Sequence, residues 1–286
     1  EMVRTLPQLI EDHNDNTSQI QRLWARAHVE VTLVNEDGFT AKVGSVSPAA
    51  APNALLLLEK TDQDTNFVLI GRETAAIELF RVGQSHSEGI YYFWYRVGDE
   101  AGSYYGRTEL AGAPGIDDIP LNPQDLLSVL AISELPTDLT QLPAVTMHLE
   151  EGKESYAYVL SHVARQAVSG QILAARETRL RWSDTEAPDP TGVRFFRPNG
   201  EVFMDAQLSN IQEVESDYDT NPRMPTHMDL AWPNAEAGVT KLRLRLSEMS
   251  TVKEFDSRVF EFALNAPAMS ADQIIQIDRH LNEGSR

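Results

Sequence analysis

Thr240-Lys241-Leu242-Arg243-Leu244-Arg245-Leu246-Ser247 alternates apolar with polar or charged residues without a break. Successive side chains of a strand point to opposite faces, so Leu242, Leu244 and Leu246 share a greasy face and Lys241, Arg243 and Arg245 a wet one. The same period recurs upstream. Pro198-Asn199-Gly200 is a tight-turn signal leading into Glu201–Val214, and Val145–Leu149, Ser155–Val163, Gln171–Trp182 and Val193–Phe196 read as further strands. Downstream, Phe255–Leu264 reads as one more strand. Ser270 with Gln273 forms a capping box for a last short helix carrying Ile274, Ile277 and Leu281.

The first half begins differently. Leu6, Leu9 and Ile10 repeat at helical spacing behind Pro7, and Ile20, Leu23, Trp24 and Ala27 do so again, with the polar Asp12–Asn16 between them. From Ala27 the period becomes two, with Val29, Val31 and Leu33 alternating with His28, Glu30 and Thr32. Strands then follow near Phe39–Val46, Leu55–Leu58, Phe67–Ile70, Ile77–Val82, Ile90–Val97 and Tyr104–Leu110. Asn35–Gly38 and Thr61–Asn66 are turns, and Pro48 and Pro52 bracket a bend. One helix interrupts them: Asn122 caps it, Pro123 suits its first position, and Leu126, Leu127, Val129, Leu130 and Ile132 give it an apolar face. Pro136 and Pro143 end it and mark a candidate hinge.

The formal net charge is −19, from 24 Lys and Arg against 43 Asp and Glu. Such a field repels phosphate backbones and anionic bilayers, and no nucleic-acid partner is expected. There is no cysteine, which excludes disulfides, thiolate metal sites and a cysteine nucleophile. No apolar run approaches the ~18 residues that span a bilayer, so no transmembrane segment is expected. The chain begins at Glu1 rather than Met, as a mature form would whose targeting segment, with any lipid anchor upstream, had been removed.

Catalytic constellations are few. There is no Gly-rich phosphate loop and no His-Glu-x-x-His, so no cofactor is expected. The seven histidines include no closely spaced ligand pair, and no metal site is expected. Asp217-x-Asp219-x-Asn221 opens like a calcium loop, but Pro222 stands where glycine is needed and Met228 where the bidentate glutamate belongs. Gly83-Gln84-Ser85-His86-Ser87 lacks the final glycine of a nucleophile elbow and has strands on both sides, so it reads as a hairpin. No catalytic residue is assigned, and the chain is read as a non-enzyme.

Two apolar features are more telling. Tyr91-Tyr92-Phe93-Trp94-Tyr95 and Leu55–Leu58 are apolar on both faces, which requires a central strand or a ligand cavity on one side. The basic residues Arg176, Arg179, Arg181, Lys241, Arg243 and Arg245 lie on two strands and read as cross-strand partners of carboxylates; a patch for an acidic partner is the alternative.

The order of elements resembles a known family. Ile20-Gln21-Arg22-Leu23-Trp24-Ala25-Arg26-Ala27-His28-Val29 reads as helix running into strand; then come Arg223-Met224-Pro225-Thr226-His227-Met228-Asp229-Leu230, Leu242-Arg243-Leu244, Phe255 and Val259-Phe260-Glu261-Phe262. This succession resembles the periplasmic lipoprotein-carrier (LolA/LolB-like) fold family over most of the chain, as a longer, divergent member. The aromatic strand and the Pro-rich middle depart from the pattern. The resemblance implies a mainly β (α+β) fold: a single domain over 1–286, whose curved antiparallel sheet forms an incomplete barrel with a few helices covering its hollow.

It also implies a non-enzymatic bacterial envelope protein, periplasmic or outer-membrane-associated, whose partner is a hydrophobic ligand or lipoprotein acyl chain bound in the concavity. The alternative is a structural or adaptor module of the envelope with a filled core and a protein-binding surface, whose partner is an envelope protein. For a ligand cavity the expected lining is Trp24, Leu56, Leu58, Tyr92, Trp94 and Leu130.

Overall fold

Leu242, Leu244 and Leu246 are 0, 3 and 6% exposed, while Arg243 and Arg245 project from the opposite face of the same strand. That two-faced strand lies in the middle of the sheet in this computed structural model. The structure describes residues 3–34, 40–45, 53–61, 64–74, 77–97, 100–110, 122–151, 156–165, 170–182, 188–233, 238–262 and 274–279. Helix α1 (Leu6–Ser18) precedes β1 (Arg22–Val34), β2 (Thr40–Gly44), β3 (Ala54–Lys60), β4 (Thr65–Thr74), β5 (Ile77–Ser85), β6 (Ile90–Val97) and β7 (Glu100–Arg107). A 3-10 turn at Thr108–Leu110 and helix α2 (Pro123–Val129) lead to the second run of strands. These are β8 (Ala144–Glu151), β9 (Tyr156–Arg165), β10 (Ile172–Arg181), β11 (Pro190–Phe196), β12 (Val202–Glu213), β13 (Arg223–Ala231) and β14 (Gly238–Ser250). A 3-10 turn at Ser257–Phe260 and β15 (Ile274–Gln276) follow.

All fifteen strands belong to one sheet, in the order β15-β7-β6-β5-β4-β3-β1-β14-β13-β12-β11-β10-β9-β8, with β2 on β1 beside β3. Every ladder is antiparallel except β15 on β7. The sheet curves, and α2 measures how much. That helix touches β4, β5, β6 and β11. In a flat sheet β6 and β11, eight steps apart in the strand order, would lie about 38 Å from one another. A helix of seven residues is only about 10 Å long and about 10 Å wide. Both walls reach it because the sheet curls round it. β8 and β15 at the two ends do not pair, so the barrel stays open.

The inner face carries the main core. β1 contributes Leu23, Ala25, Ala27, Val29 and Val31, β3 Leu56 and Leu58, β4 Phe67 and Leu69, and β14 its three leucines. The outer face of β1, β13 and β14 carries charge in register. Glu30 holds Lys42 at 3.7 Å and Arg243 at 3.3 Å; Asp229 holds Arg243 at 3.6 Å and Arg245 at 2.7 Å. Arg243 and Arg245 are therefore matched across the strands, and Arg179 reaches Glu150 at 2.5 Å, but Arg176 turns inward to Ser128 and His162 rather than to a carboxylate; β10 and β14 lie four places apart in the sheet rather than forming one stripe. Exposed pairs of this kind contribute little stability individually.

Over β3–β6 the outer face is apolar too, which answers the double demand of Leu55–Leu58 and Tyr91–Tyr95. The segment after β14 straps across it. Phe260 is 1% exposed and packs with Leu57, Val68 and Ile70, flanked by Trp24, Leu55, Phe255 and Val259. Arg22 donates to the Phe255 carbonyl (2.9 Å), Arg81 to that of Val259 (2.9 Å) and the Tyr92 hydroxyl to that of Phe260 (3.0 Å). Gly83 makes room for Tyr92: a Cβ there would come within 2.6 Å of its hydroxyl oxygen.

Three sequence expectations are corrected. Ile20–Ala27 is not helical; β1 starts at Arg22, because its edges pair with β3 (Leu23↔Leu58, Ala25↔Leu56) and β14, and a helix would forfeit both ladders. Phe255–Leu264 is not a strand where described. Asp256 caps the 3-10 turn at Arg258 N (3.0 Å), and Phe255 and Phe260 meet edge to face at 5.7 Å against the sheet. Ile274 belongs to no helix but to β15, in parallel register with Ser103. The Asn35–Gly38 turn, the Pro48–Pro52 bend, Ser270, Gln273 and Leu281 lie outside the described residues.

Polar side chains complete the backbone where the sheet leaves gaps. β3 pairs β1 up to Ala27 and β2 pairs it from Glu30. Between them the Asn53 side chain accepts from Val29 N (2.8 Å) and donates to Val29 O (3.0 Å), as a neighbouring strand would. Asn53→Ala removes both bonds and is expected to lower unfolding free energy by about 2 kcal/mol, read as a lower urea midpoint at unchanged m-value.

Candidate functional site

The concave wall and what fills it define the site. Opposite the leucines of β1, β3 and β14 stand Val193 and Phe195 of β11, Met204, Ala206 and Leu208 of β12, and Met224, Met228 and Leu230 of β13. Counting Met249, four of the chain's seven methionines belong to this one cluster. Methionine is unbranched and polarizable and adapts to irregular partners. The middle of the hollow is occupied by α2, through Leu126, Leu127, Val129, Leu130 and Ile132. Asn122 Oδ1 caps this helix by accepting from Gln124 N at 2.9 Å, and Ala131, at φ 56°, turns the chain out of it.

Beside α2 lies a buried polar cluster that joins the two helices to β9 and β10. Arg176 reaches in from β10; its Nη1 donates to Ser128 Oγ on α2 and its Nη2 to His162 Nδ1 on β9 (3.4 Å). His162 Nε2 then faces Thr178 Oγ1 at 3.1 Å, which fixes the neutral tautomer. His13 of α1 donates to the Ser133 carbonyl at 2.8 Å. Burial, with the Arg176 charge beside it, pushes the His162 pKa down to about 3. Burial also lowers His13, against the pull of the Ser133 carbonyl, and lowers Arg176.

The polar Asp12–Asn16 stretch lies within α1 and is part of this arrangement. Asn14 donates to Leu135 O (2.9 Å) and accepts from Leu135 N (2.8 Å); Asn16 does the same for Arg223 (2.8 and 2.7 Å). α1 is thereby fixed to the segment between Pro136 and α2 and to β13, and the candidate hinge is pinned next to its first proline. Between α1 and the floor of β10–β13 remains a cleft of about 60 Å³, bordered by Leu9, His13, Ala131, Leu180, Asp189 and Arg223. That is well below the several hundred Å³ of a small-molecule site.

Of the six residues expected at a cavity, Leu56, Leu58 and Leu130 meet in the inner cluster. Trp24 faces outward, where Lys253 Nζ sits 3.7 Å from its ring centroid. Tyr92 faces outward as well, with Phe262 at 5.1 Å; Trp94 shares that face, opposite Arg81. The rings of β6 that do face the core are Tyr91 and Phe93. One residue of register separates the two sets. The methionine wall was legible in β13 as alternation. The Arg176–His162 pair, fourteen residues apart on facing strands, had no sequence signal.

The Ser85 region is a hairpin between β5 and β6. Ser85 Oγ lies 3.2 Å from Ser87 Oγ, and His86 faces Asp64 at 3.8 Å rather than a serine. Ser128 Oγ donates to Gln124 O (3.0 Å) and accepts from an arginine, which leaves it unactivated as a nucleophile. Among the described residues no three His, Asp or Glu side chains converge on a metal-sized site.

No family model matches the sequence, and no curated protein matches it. Solved structures do. A domain described as an outer membrane lipoprotein-sorting protein from Vibrio parahaemolyticus matches with a TM-score of 0.55 at 10% identity, over 90% of this chain and 97% of its own. A DUF1329 family protein from Desulfovibrio piger matches with a TM-score of 0.51 at 10% identity, over 90% of this chain and 96% of its own. A LolA superfamily protein from Nitrosomonas europaea matches with a TM-score of 0.51 at 12% identity, over 91% and 98%. The chain has a LolA-like fold.

The polar cluster makes stability depend on pH. Unfolded, His162 takes a proton near its ordinary 6.5; folded, it resists until about 3. The unfolded state therefore binds more protons within that window, and stability falls as pH drops through it, by at most about 1.4 kcal/mol per pH unit. Urea midpoints at pH 7 and pH 5 are expected to differ less in His162→Gln than in the parent chain.

Proposed function

From the LolA-like fold as premise, we propose that this chain is a non-enzymatic, single-domain protein of the bacterial envelope, periplasmic or outer-membrane-associated, that holds an apolar ligand against the concave face of its sheet. The ligand class is a lipid or the acyl chain of a lipoprotein. The observation that carries this reading is the mismatch between wall and filler. The concave face of β1, β3 to β6 and β11 to β14 presents a broad apolar wall, and its centre is filled by a helix of seven residues. Such a helix has little stability of its own, since isolated helices shorter than about 12 residues are marginal in water. An acyl chain presenting comparable apolar area would replace it at small net cost. The methionines of β12 and β13 supply a surface that refits to either occupant. The lipoprotein-sorting description of the Vibrio domain supports the ligand class.

Leu130 belongs to the filler that the ligand displaces, whereas the proposed site keeps Leu56 and Leu58. It takes Met204, Met224 and Met228 in place of Trp24, Tyr92 and Trp94, which face the other side. Among the described residues no helix is long and apolar enough to cross a membrane. One observation favours a second reading, an adaptor with a filled core: the cleft beneath α1 holds only about 60 Å³. In that reading α2 stays in place and the outer surface does the work.

A fluorescent long-chain fatty acid distinguishes the two. Delipidated protein is expected to bind it with faster amide exchange over 123–132, as α2 leaves. Leu127→Ser, which weakens the packing of the filler by at least about 2 kcal/mol, should tighten binding about tenfold or more. Absence of binding, together with no co-purified lipid in native mass spectrometry, would establish the filled-core reading instead.

A further inference from the structure

The two ends of the sheet are finished differently. At one end β7 is covered by β15, and Asp278 locks the join by accepting from Arg107 N (2.8 Å) and Arg107 Nε (3.3 Å). β15 itself is three residues long. At the other end β8 runs for eight residues, Ala144–Glu151, and pairs only with β9 among the described residues. Its ladder runs from Ala144↔Val163 to Glu151↔Tyr156 without a register shift. It has no proline, lysine or bulge within it. Those are the devices by which proteins usually blunt an edge, whose alternate N–H and C=O groups otherwise form a template for another strand.

The side chains along this edge also suit a strand partner. Val145, Met147 and Leu149 share the inner face; Val145 is buried, and Leu149 is 42% exposed. The apolar surface continues inward from Leu149 through Tyr158, its directly paired neighbour, and Trp182, stacked on Tyr158 at 5.1 Å, to Tyr156, itself 50% exposed. The end of the strand is acidic: Glu150, held by Arg179 at 2.5 Å, and the exposed Glu151. The chain as a whole carries −19. A second copy of the same chain would be repelled, whereas a basic segment would be drawn in.

We propose that the β8 edge is a docking site for an extended segment of a partner protein in which apolar and basic residues alternate. The segment adds a strand beyond β8. Its main chain pairs with the ladder groups that no described residue engages, its apolar side chains lie beside Met147 and Leu149, and its cationic side chains are favoured by the net negative charge of the chain. The edge is presented by the β8–β9 ladder whether or not the concave face holds a lipid.

The probe is an acetylated, amidated octapeptide alternating valine and lysine, with a twin N-methylated at every amide. The twin keeps the charge and the side chains but cannot donate to a ladder. At about 150 mM salt, the parent peptide is expected to bind about tenfold or more tighter than the twin and to slow amide exchange at 144–151. Leu149→Ser, an exposed position, should weaken binding severalfold without moving the melting temperature. Equal binding of the two peptides, no binding, or protection elsewhere in the chain would overturn the proposal. So would sedimentation showing a dimer whose 144–151 amides are already protected.

Discussion

The ladder between β1 and β14 is the contact on which the rest of the architecture depends. Each half of the chain carries a meander of its own, β3 to β7 and β8 to β14, and within each the neighbours in sequence are neighbours in space. Only the pairing of Trp24–Val34 with Gly238–Ser250 turns two meanders into one sheet broad enough to curl. It joins residues more than two hundred positions apart and must bear the closure entropy of nearly the whole chain. It does so with an unbroken inner stripe, Ala27, Val29 and Val31 against Leu246, Leu244 and Leu242, and an outer row in which Glu30 faces Arg243.

Curling creates the second constraint. A sheet that closes round a hollow must fill it, and one with aromatic rings on both sides must also be covered from outside. Here the two tasks fall to different segments. α2 sits in the hollow between β4–β6 and β11, and the strap from Phe255 to Phe262 lies over the back of β3–β6. The strap is held less by regular structure than by side chains of the sheet, Arg22, Arg81 and Tyr92, that donate to its carbonyls. A segment bonded this way need not alternate, which is why its apolar residues read as a strand and fold as a turn.

The candidate site combines both kinds of element. Its apolar wall consists of strand faces, whose composition follows directly from period-two patterning. Its filler and its polar cluster depend on how α1, α2, β9 and β10 meet. Asn14, Asn16 and Asn53 show the same division on a smaller scale. Each acts as a substitute peptide group for a stretch of backbone that the sheet leaves unpaired. In the sequence they are ordinary polar residues.

What the sequence by itself determined is what local periodicity encodes: most of the strands, the helix after Asn122, the cross-strand pairing of Arg243 and Arg245 and the need for cover on both sides of Leu55–Leu58 and Tyr91–Tyr95. It also carried the likeness in element order to lipoprotein carriers that the fold shares. Tertiary structure decided which face each ring takes, and so placed Leu56 and Leu58 inside and Trp24, Tyr92 and Trp94 outside. A strand's two faces are chemically equivalent until a neighbour covers one, and with apolar residues on both, alternation has no sign. The same holds for the last segment, where three residues from Ile274 were free to be helix or strand. Pairing with Ser103–Tyr105 of β7 made them strand, because an unpaired edge is a stronger demand on backbone than the weak helical preference of so short a stretch.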